Sequence, residues 1–213
     1  QLGSGSKIAM RDMEIRGAGN ILGPEQHGHI AAVGFDMYCK LVAEEVEAGL
    51  SQTPKPKERE AVQLDLGVNA FIPDSYLSDA ELKIEVYKRI AAMSGDEAEE
   101  KALMQEVSDR FGKMPPVVEN LFLLGDIKVL ATQADISAIQ HRGKQILLQF
   151  FPDHRLEGQH LVAIAEKFGK WTSFRQQKGF AIQLAIGNLP ERKRLLALRS
   201  FLKELLAIMA GSE

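Results

Sequence analysis

Arg11, Asp12, Glu14, Arg16 and Gln26 lie close together near the start of the chain and could hold a phosphate. Arginine presents a planar fork of donors that matches phosphate oxygens, and glutamine can bridge phosphate, sugar or a neighbouring loop. Arg16 adjoins Gly17, where a backbone without a β-carbon can come close to a phosphate. The competing reading pairs Arg11 or Arg16 with Asp12 or Glu14 as salt bridges. A second feature is Gly17-Ala18-Gly19-Asn20-Ile21-Leu22-Gly23. A dinucleotide site needs its third glycine one residue earlier, inside a βαβ unit, so this run reads as a turn. A third is His27-Gly28-His29, which could share a metal, but no third ligand lies nearby and solvated loop histidines are the plainer reading.

Other reactive patterns are missing from the sequence. Gly112-Lys113, Gly143-Lys144 and Gly169-Lys170 lack the loop and the following hydroxyl of a nucleotide-binding P-loop. No nucleophile elbow, zincin helix or paired-cysteine motif occurs. The single cysteine, Cys39, cannot close an internal disulfide, which suits a reducing, cytoplasmic compartment. No apolar run is long enough to span a membrane. The formal net charge is −3, so any nucleic-acid contact should be local rather than spread over the surface. The opening residues Gln1-Leu2-Gly3-Ser4-Gly5 show neither an initiator methionine nor a signal pattern, which reads as a start inside a longer protein.

The elements that must position these residues follow from periodicity. Residues 7–15 read as a strand running into a turn, and 17–29 as a glycine-rich loop. A helix begins near Phe35, carries Met37, Leu41, Val42 and Val46 on one face, and ends at Gly49. Residues 51–60, with two prolines and no large apolar side chain, form a linker. Val62, Leu64 and Leu66 then alternate with polar residues as a strand. Ser78-Asp79 introduces a helix with the stripe Leu82, Val86, Ile90 and Met93, and Asp96 caps another over about 97–111. A third helix covers about 117–134 after the Pro115-Pro116 turn. Strands over 136–140 and 145–151 form a hairpin around Arg142-Gly143-Lys144. A helix over about 157–169 follows, then strands 171–175 and 180–186 around Lys178-Gly179. Trp171 and Phe174 are expected in the core. Pro190 opens a last helix with Leu195, Leu198, Leu202, Leu205 and Met209 on one face. Short turns between β-runs imply antiparallel pairing, so the class is α+β.

The run Gly5-Ser6-Lys7-Ile8-Ala9-Met10-Arg11-Asp12-Met13-Glu14-Ile15-Arg16-Gly17-Ala18-Gly19-Asn20-Ile21-Leu22-Gly23, followed by Glu25-Gln26 and Gly28, resembles the segment after the motor core in the transcription-repair coupling factor family and its RecG-type relatives. Val33-Gly34-Phe35-Asp36-Met37-Tyr38, Phe71-Ile72-Pro73-Asp74-Ser75-Tyr76, Tyr87-Lys88-Arg89-Ile90 and Asp109-Arg110-Phe111-Gly112 continue the likeness to about residue 125. Ser6 departs from it, standing where the family commonly has an aromatic residue.

The resemblance implies three parts: 1–33, the end of a motor lobe with its translocation motif; 34–60, a connector helix and linker; and 61–213, a C-terminal regulatory domain. Arg11, Arg16 and Gln26 would belong to the motif that grips double-stranded DNA. The whole protein would be an ATP-dependent DNA translocase, a helicase-like hydrolase using ATP and Mg. It would remove stalled RNA polymerase and recruit excision repair. This segment would need no cofactor and would not itself be an enzyme. It would dock on the N-terminal UvrB-like module and mask recruitment of UvrA, while UvrA and RNA polymerase bind elsewhere on the protein. Glu106 and Asp109, three residues apart on one helix face, match acidic docking positions of the family. Read without the resemblance, they are a solvated helix face. The alternative function is a stand-alone nucleic-acid-binding module built on Arg11, Arg16 and the run Arg192-Lys193-Arg194, which otherwise reads as a solvated basic turn.

Overall fold

The computed structural model describes residues 59–211. The expectations for the strand at 7–15, the glycine loop, the helix after Phe35 and nearly all of the linker lie outside the described residues, as do Arg11, Arg16, Gln26, His27, His29 and Cys39. The described chain is α+β, with five α-helices and a five-stranded mixed sheet. It forms two compact units. One contains Gly67–Phe122, the other Ala61–Leu66 and the chain from Leu123 onward.

In the first unit, residues 67–73 form an extended segment in which Val68, Ala70 and Ile72 are buried in alternation. It has no strand partner among the described residues. Its polar groups are met singly: Tyr87 Oη accepts from Ile72 N at 2.9 Å, Val117 O accepts from Phe71 N at 3.3 Å, and Asn120 Nδ2 donates to Asn69 O at 3.0 Å. Helix α1 spans Ala80–Ala91 and α2 spans Glu97–Phe111. Asp79 caps α1 by accepting from Glu81 N and Leu82 N, both at 2.9 Å, and Asp96 caps α2 through Ala98 N. Such caps contribute about 1 kcal/mol each, because they satisfy amides that the helix cannot.

Of the expected α1 stripe, Val86, Ile90 and Met93 are buried but Leu82 is only half-buried. Lys83, 2% exposed, joins the inner face in its stead, and its ammonium meets the carboxylate of Asp74 on the preceding segment. The rotation follows from chemistry that periodicity does not carry. A long aliphatic stem packs well once its charge has a partner.

Helix α3, Pro116–Gln133, starts in the first unit and continues into the second. There the strands are β1 Gln63–Asp65, β2 Ile136–Arg142, β3 Gln145–Phe150, β4 Thr172–Arg175 and β5 Ala181–Leu184, in the order β1-β2-β3-β5-β4. Pairing is antiparallel except for β1, which runs parallel to β2. Because α1, α2 and α3 separate β1 from β2 in the chain, no short turn announces that pairing. The registers Leu64↔Ile139↔Leu148↔Ile182 and Ile146↔Leu184 set these apolar side chains on one face. Helices α4, Gly158–Phe168, and α5, Glu191–Ala210, pack together, with Phe168 and Phe201 ring centroids 4.8 Å apart. Leu195, Leu198, Leu202 and Leu205 of α5 are fully buried, as the expected stripe required, and Met209 is half-buried.

Two expectations fail here. Arg194 does not belong to a solvated basic run. It is buried and donates to Gly187 O and Leu189 O, each at 3.3 Å, and to Leu66 O at 3.4 Å. Burial lowers its proton affinity from the ordinary arginine value. Arg192 and Lys193, by contrast, are exposed. Trp171 and Phe174 are not in the core either: they are 51% and 37% exposed. Trp171 lies in a 3-10 turn before β4, and β4 is an edge strand, so neither has neighbours on every side.

Candidate docking site on the second helix

The capped start at Asp96 and the turn at Gly112 fix the length of α2, and Leu103 and Val107 anchor its inner face. Gly112 has φ +92, a left-handed conformation that suits glycine. With that face fixed, Glu106 and Asp109 fall on the outer surface one turn apart, Glu106 half-buried and Asp109 exposed. The structure therefore brings the two expected acidic residues together.

Their environments differ. Glu106 accepts two hydrogen bonds from Arg89 of α1, Oε1 from Nη1 at 2.5 Å and Oε2 from Nη2 at 2.7 Å. Arg110 Nη1 lies 3.6 Å from Glu106 and 3.4 Å from Glu85. The hydrogen bonds from Arg89 hold the Glu106 carboxyl below its ordinary value despite partial desolvation, and the charges of Arg89 and Arg110 add to the effect. The same bond raises Arg89 above its usual value. Asp109 accepts from a neutral donor, Gln105 Nε2, at 2.8 Å. Arg110 also lies over the Phe111 ring at 5.0 Å, and that ring meets Tyr76 edge-on at 6.5 Å. Tyr76 donates in turn to Gly112 O at 2.8 Å.

Each carboxylate oxygen has two lone-pair positions. Glu106 therefore keeps accepting capacity after binding Arg89, with its plane already set. Asp109 adds a charge that pairs with no cation among the described residues. Two oriented carboxylates one helical turn apart suit a guanidinium or ammonium group arriving from outside. Arg89 was the residue that sequence reasoning missed. It lies seventeen positions from Glu106, and only the packing of α1 on α2 joins them. Arg110, four positions after Glu106, was within reach of helical spacing alone.

Among the described residues, no three His, Cys, Asp or Glu side chains are grouped to hold a metal ion, and no helix is long and apolar enough to cross a membrane. Arg11, Arg16 and Gln26 lie outside the described residues, so the geometry of that cluster is not part of the site.

The model of the TRCF domain family matches residues 66–161, which include α1, α2, Glu106 and Asp109. Transcription-repair-coupling factor from Bacillus subtilis is 38% identical over 172 residues, covering 80% of this chain and 14% of that protein. The protein of the same name from Borreliella burgdorferi is 28% identical over 195 residues, covering 92% and 17% respectively. The crystal structure of the C-terminal domain of a transcription-repair coupling factor superposes with TM-score 0.65 at 26% identity, covering 72% of this chain and 96% of that one. The chain thus spans about a seventh of the length of the curated relatives it matches. With the sequence motifs, the matched domain and the shared fold in agreement, the chain belongs to the transcription-repair coupling factor family and corresponds to the C-terminal part of its members.

Proposed function

We propose that this chain is the autoregulatory C-terminal region of an ATP-dependent double-stranded DNA translocase, and that it docks on the protein's own N-terminal UvrB-like module. Docked there, it masks the surface that recruits UvrA. Glu106 and Asp109 are the contact residues, and the partner chemistry is arginine. The observation that carries this reading is the pair of outward carboxylates on α2, one pre-oriented by Arg89 and the other without a cationic partner among the described residues. Membership of the family supports it, because its members join transcription to repair by name. Arg11, Arg16 and Gln26 act in the translocation motif of the full-length protein, which also carries the sites for ATP, Mg, UvrA and RNA polymerase.

The test is capture of the UvrB-like module by this chain. Wild type should bind it, and Glu106→Arg with Asp109→Arg should bind at least about tenfold more weakly, on the scale of charge pairs at interfaces. Raising salt from about 0.05 to 0.5 M should weaken the wild-type complex, since the screening length falls well below 10 Å. Equal capture by wild type and the reversed variant would sink the reading.

A further inference from the structure

A second surface lies in the unit that carries the sheet. Among the described residues, strand β4 is at the sheet edge, paired on one side only, with β5. Trp171 O accepts from Ala185 N at 2.9 Å, and the register continues Ser173↔Gln183 and Arg175↔Ala181. In an antiparallel ladder bonded and non-bonded positions alternate. Trp171, Ser173 and Arg175 therefore turn their backbone groups to β5, and Thr172 and Phe174 turn theirs to the open edge. The Thr172 N–H folds back to Gly169 O, which leaves the Thr172 carbonyl and both Phe174 groups as the outward set.

The charged side chains of the segment that carries this edge share one sign. From Lys167 to Pro190 the sequence contains Lys167, Lys170, Arg175 and Lys178, with no aspartate or glutamate. Lys167 is paired with Glu204. Lys170 lies over the Trp171 ring at 5.8 Å, and Arg175 and Lys178 are exposed. The two faces of β4 differ as well. Phe174 pairs with Ile182 on the apolar face and stacks on Phe180 at 6.2 Å, whereas Arg175 projects from the opposite face. Trp171 and Phe174 remain partly open to solvent.

We propose that the β4 edge accepts an extended peptide segment in which apolar and acidic residues alternate, added as a sixth strand. Its backbone would pair with Thr172 and Phe174, its apolar side chains would extend the face that holds Phe174, and its carboxylates would meet Arg175 and the neighbouring lysines. Strand addition of this kind takes affinity from main-chain pairing and specificity from alternate side chains. Cationic side chains also guard an edge against self-association, and the same charge selects an acidic partner. A single-stranded nucleic acid stacked on Trp171 is the competing occupant. It would have no use for the outward backbone groups, so the peptide is favoured.

Trp171 is the only tryptophan of the chain, so its emission reports on the edge directly. The full chain would be titrated with a short, end-blocked peptide of alternating glutamate and valine. A saturable change in Trp171 emission is expected, together with slowed hydrogen exchange at the Phe174 amide. Arg175→Glu with Lys178→Glu should weaken binding roughly tenfold or more. An alternating lysine and valine peptide should then bind that variant and not wild type, which separates lost charge from lost folding. A glutamate and proline peptide, unable to donate from its proline positions, should fail to bind. The proposal is overturned if emission does not saturate, if the reversed variant binds equally well, or if oligothymidylate alone produces the change.

Discussion

The two oxygens of Glu106 meet two different nitrogens of Arg89, which fixes the carboxylate plane and lowers its proton affinity. A carboxyl whose folded value is depressed adds stability above its unfolded value, and that stability is lost as pH falls through the folded one. The pair should therefore weaken below the ordinary glutamate value of 4.5, not at neutral pH. Carboxyl-carbon NMR should show Glu106 titrating lower than an ordinary glutamate, and Arg89→Gln should move it upward. An unchanged titration would mean that Arg89 does not hold Glu106 in solution. At Gly187 the constraint is space. An added Cβ would lie 2.3 Å from Gly143 O and 2.5 Å from the Lys144 carbonyl carbon, both backbone. Gly187 O also takes the contact from Arg194 and lies 3.0 Å from His141 Nε2. That nitrogen also lies 2.9 Å from Gly143 O, and facing two carbonyls it must carry the proton. Gly187→Ala should cost about 1–3 kcal/mol through forced backbone movement, read from the shift in denaturation midpoint.

At the scale of elements, α1 shows how a polar residue can turn a helix. Its inner face holds Lys83, Val86, Tyr87 and Ile90, and Lys83 is buried along its stem with its charge set against Asp74. Lys83→Ala removes packed methylenes and leaves a cavity, while the exposed Asp74 stays hydrated, so it should destabilise by about 2–4 kcal/mol. Lys83→Met keeps the stem and drops the charge, and should cost distinctly less, since replacing a buried ion by a well-packed apolar group is often close to neutral. Equal losses for the two variants in urea denaturation would show that the ion pair, not the stem, anchors α1. On α5, Leu202 is fully buried, and Leu202→Ala should cost about 2–5 kcal/mol in the same assay.

For the molecule as a whole, the proposed work is holding and releasing another part of a longer protein, through charge on one helix and not through bond chemistry. Purified chain should turn over no ATP above a contaminant control, because no nucleotide-binding loop is written in it. Duplex DNA titrated at low salt should separate the docking reading from a stand-alone nucleic-acid module. The acidic overall charge and the buried state of Arg194 both predict weak binding or none.

How much of this was written in the chain depends on the distance over which each signal acts. Caps at Asp79 and Asp96, the hairpin turns at Gly143 and Gly179, and the leucine stripe of α5 are local chemistry, legible because each acts within a few residues. Glu106 and Asp109 could be placed on one face from spacing alone, and the family likeness pointed to them. Tertiary structure alone decided the parallel pairing of β1 with β2, the burial of Lys83 and Arg194, the exposure of Trp171 and Phe174, and the grip of Arg89 on Glu106. Each of these joins residues far apart in the chain or depends on where an edge falls. Periodicity reports which side of an element is apolar, but only packing determines what that side, or the opposite one, will meet.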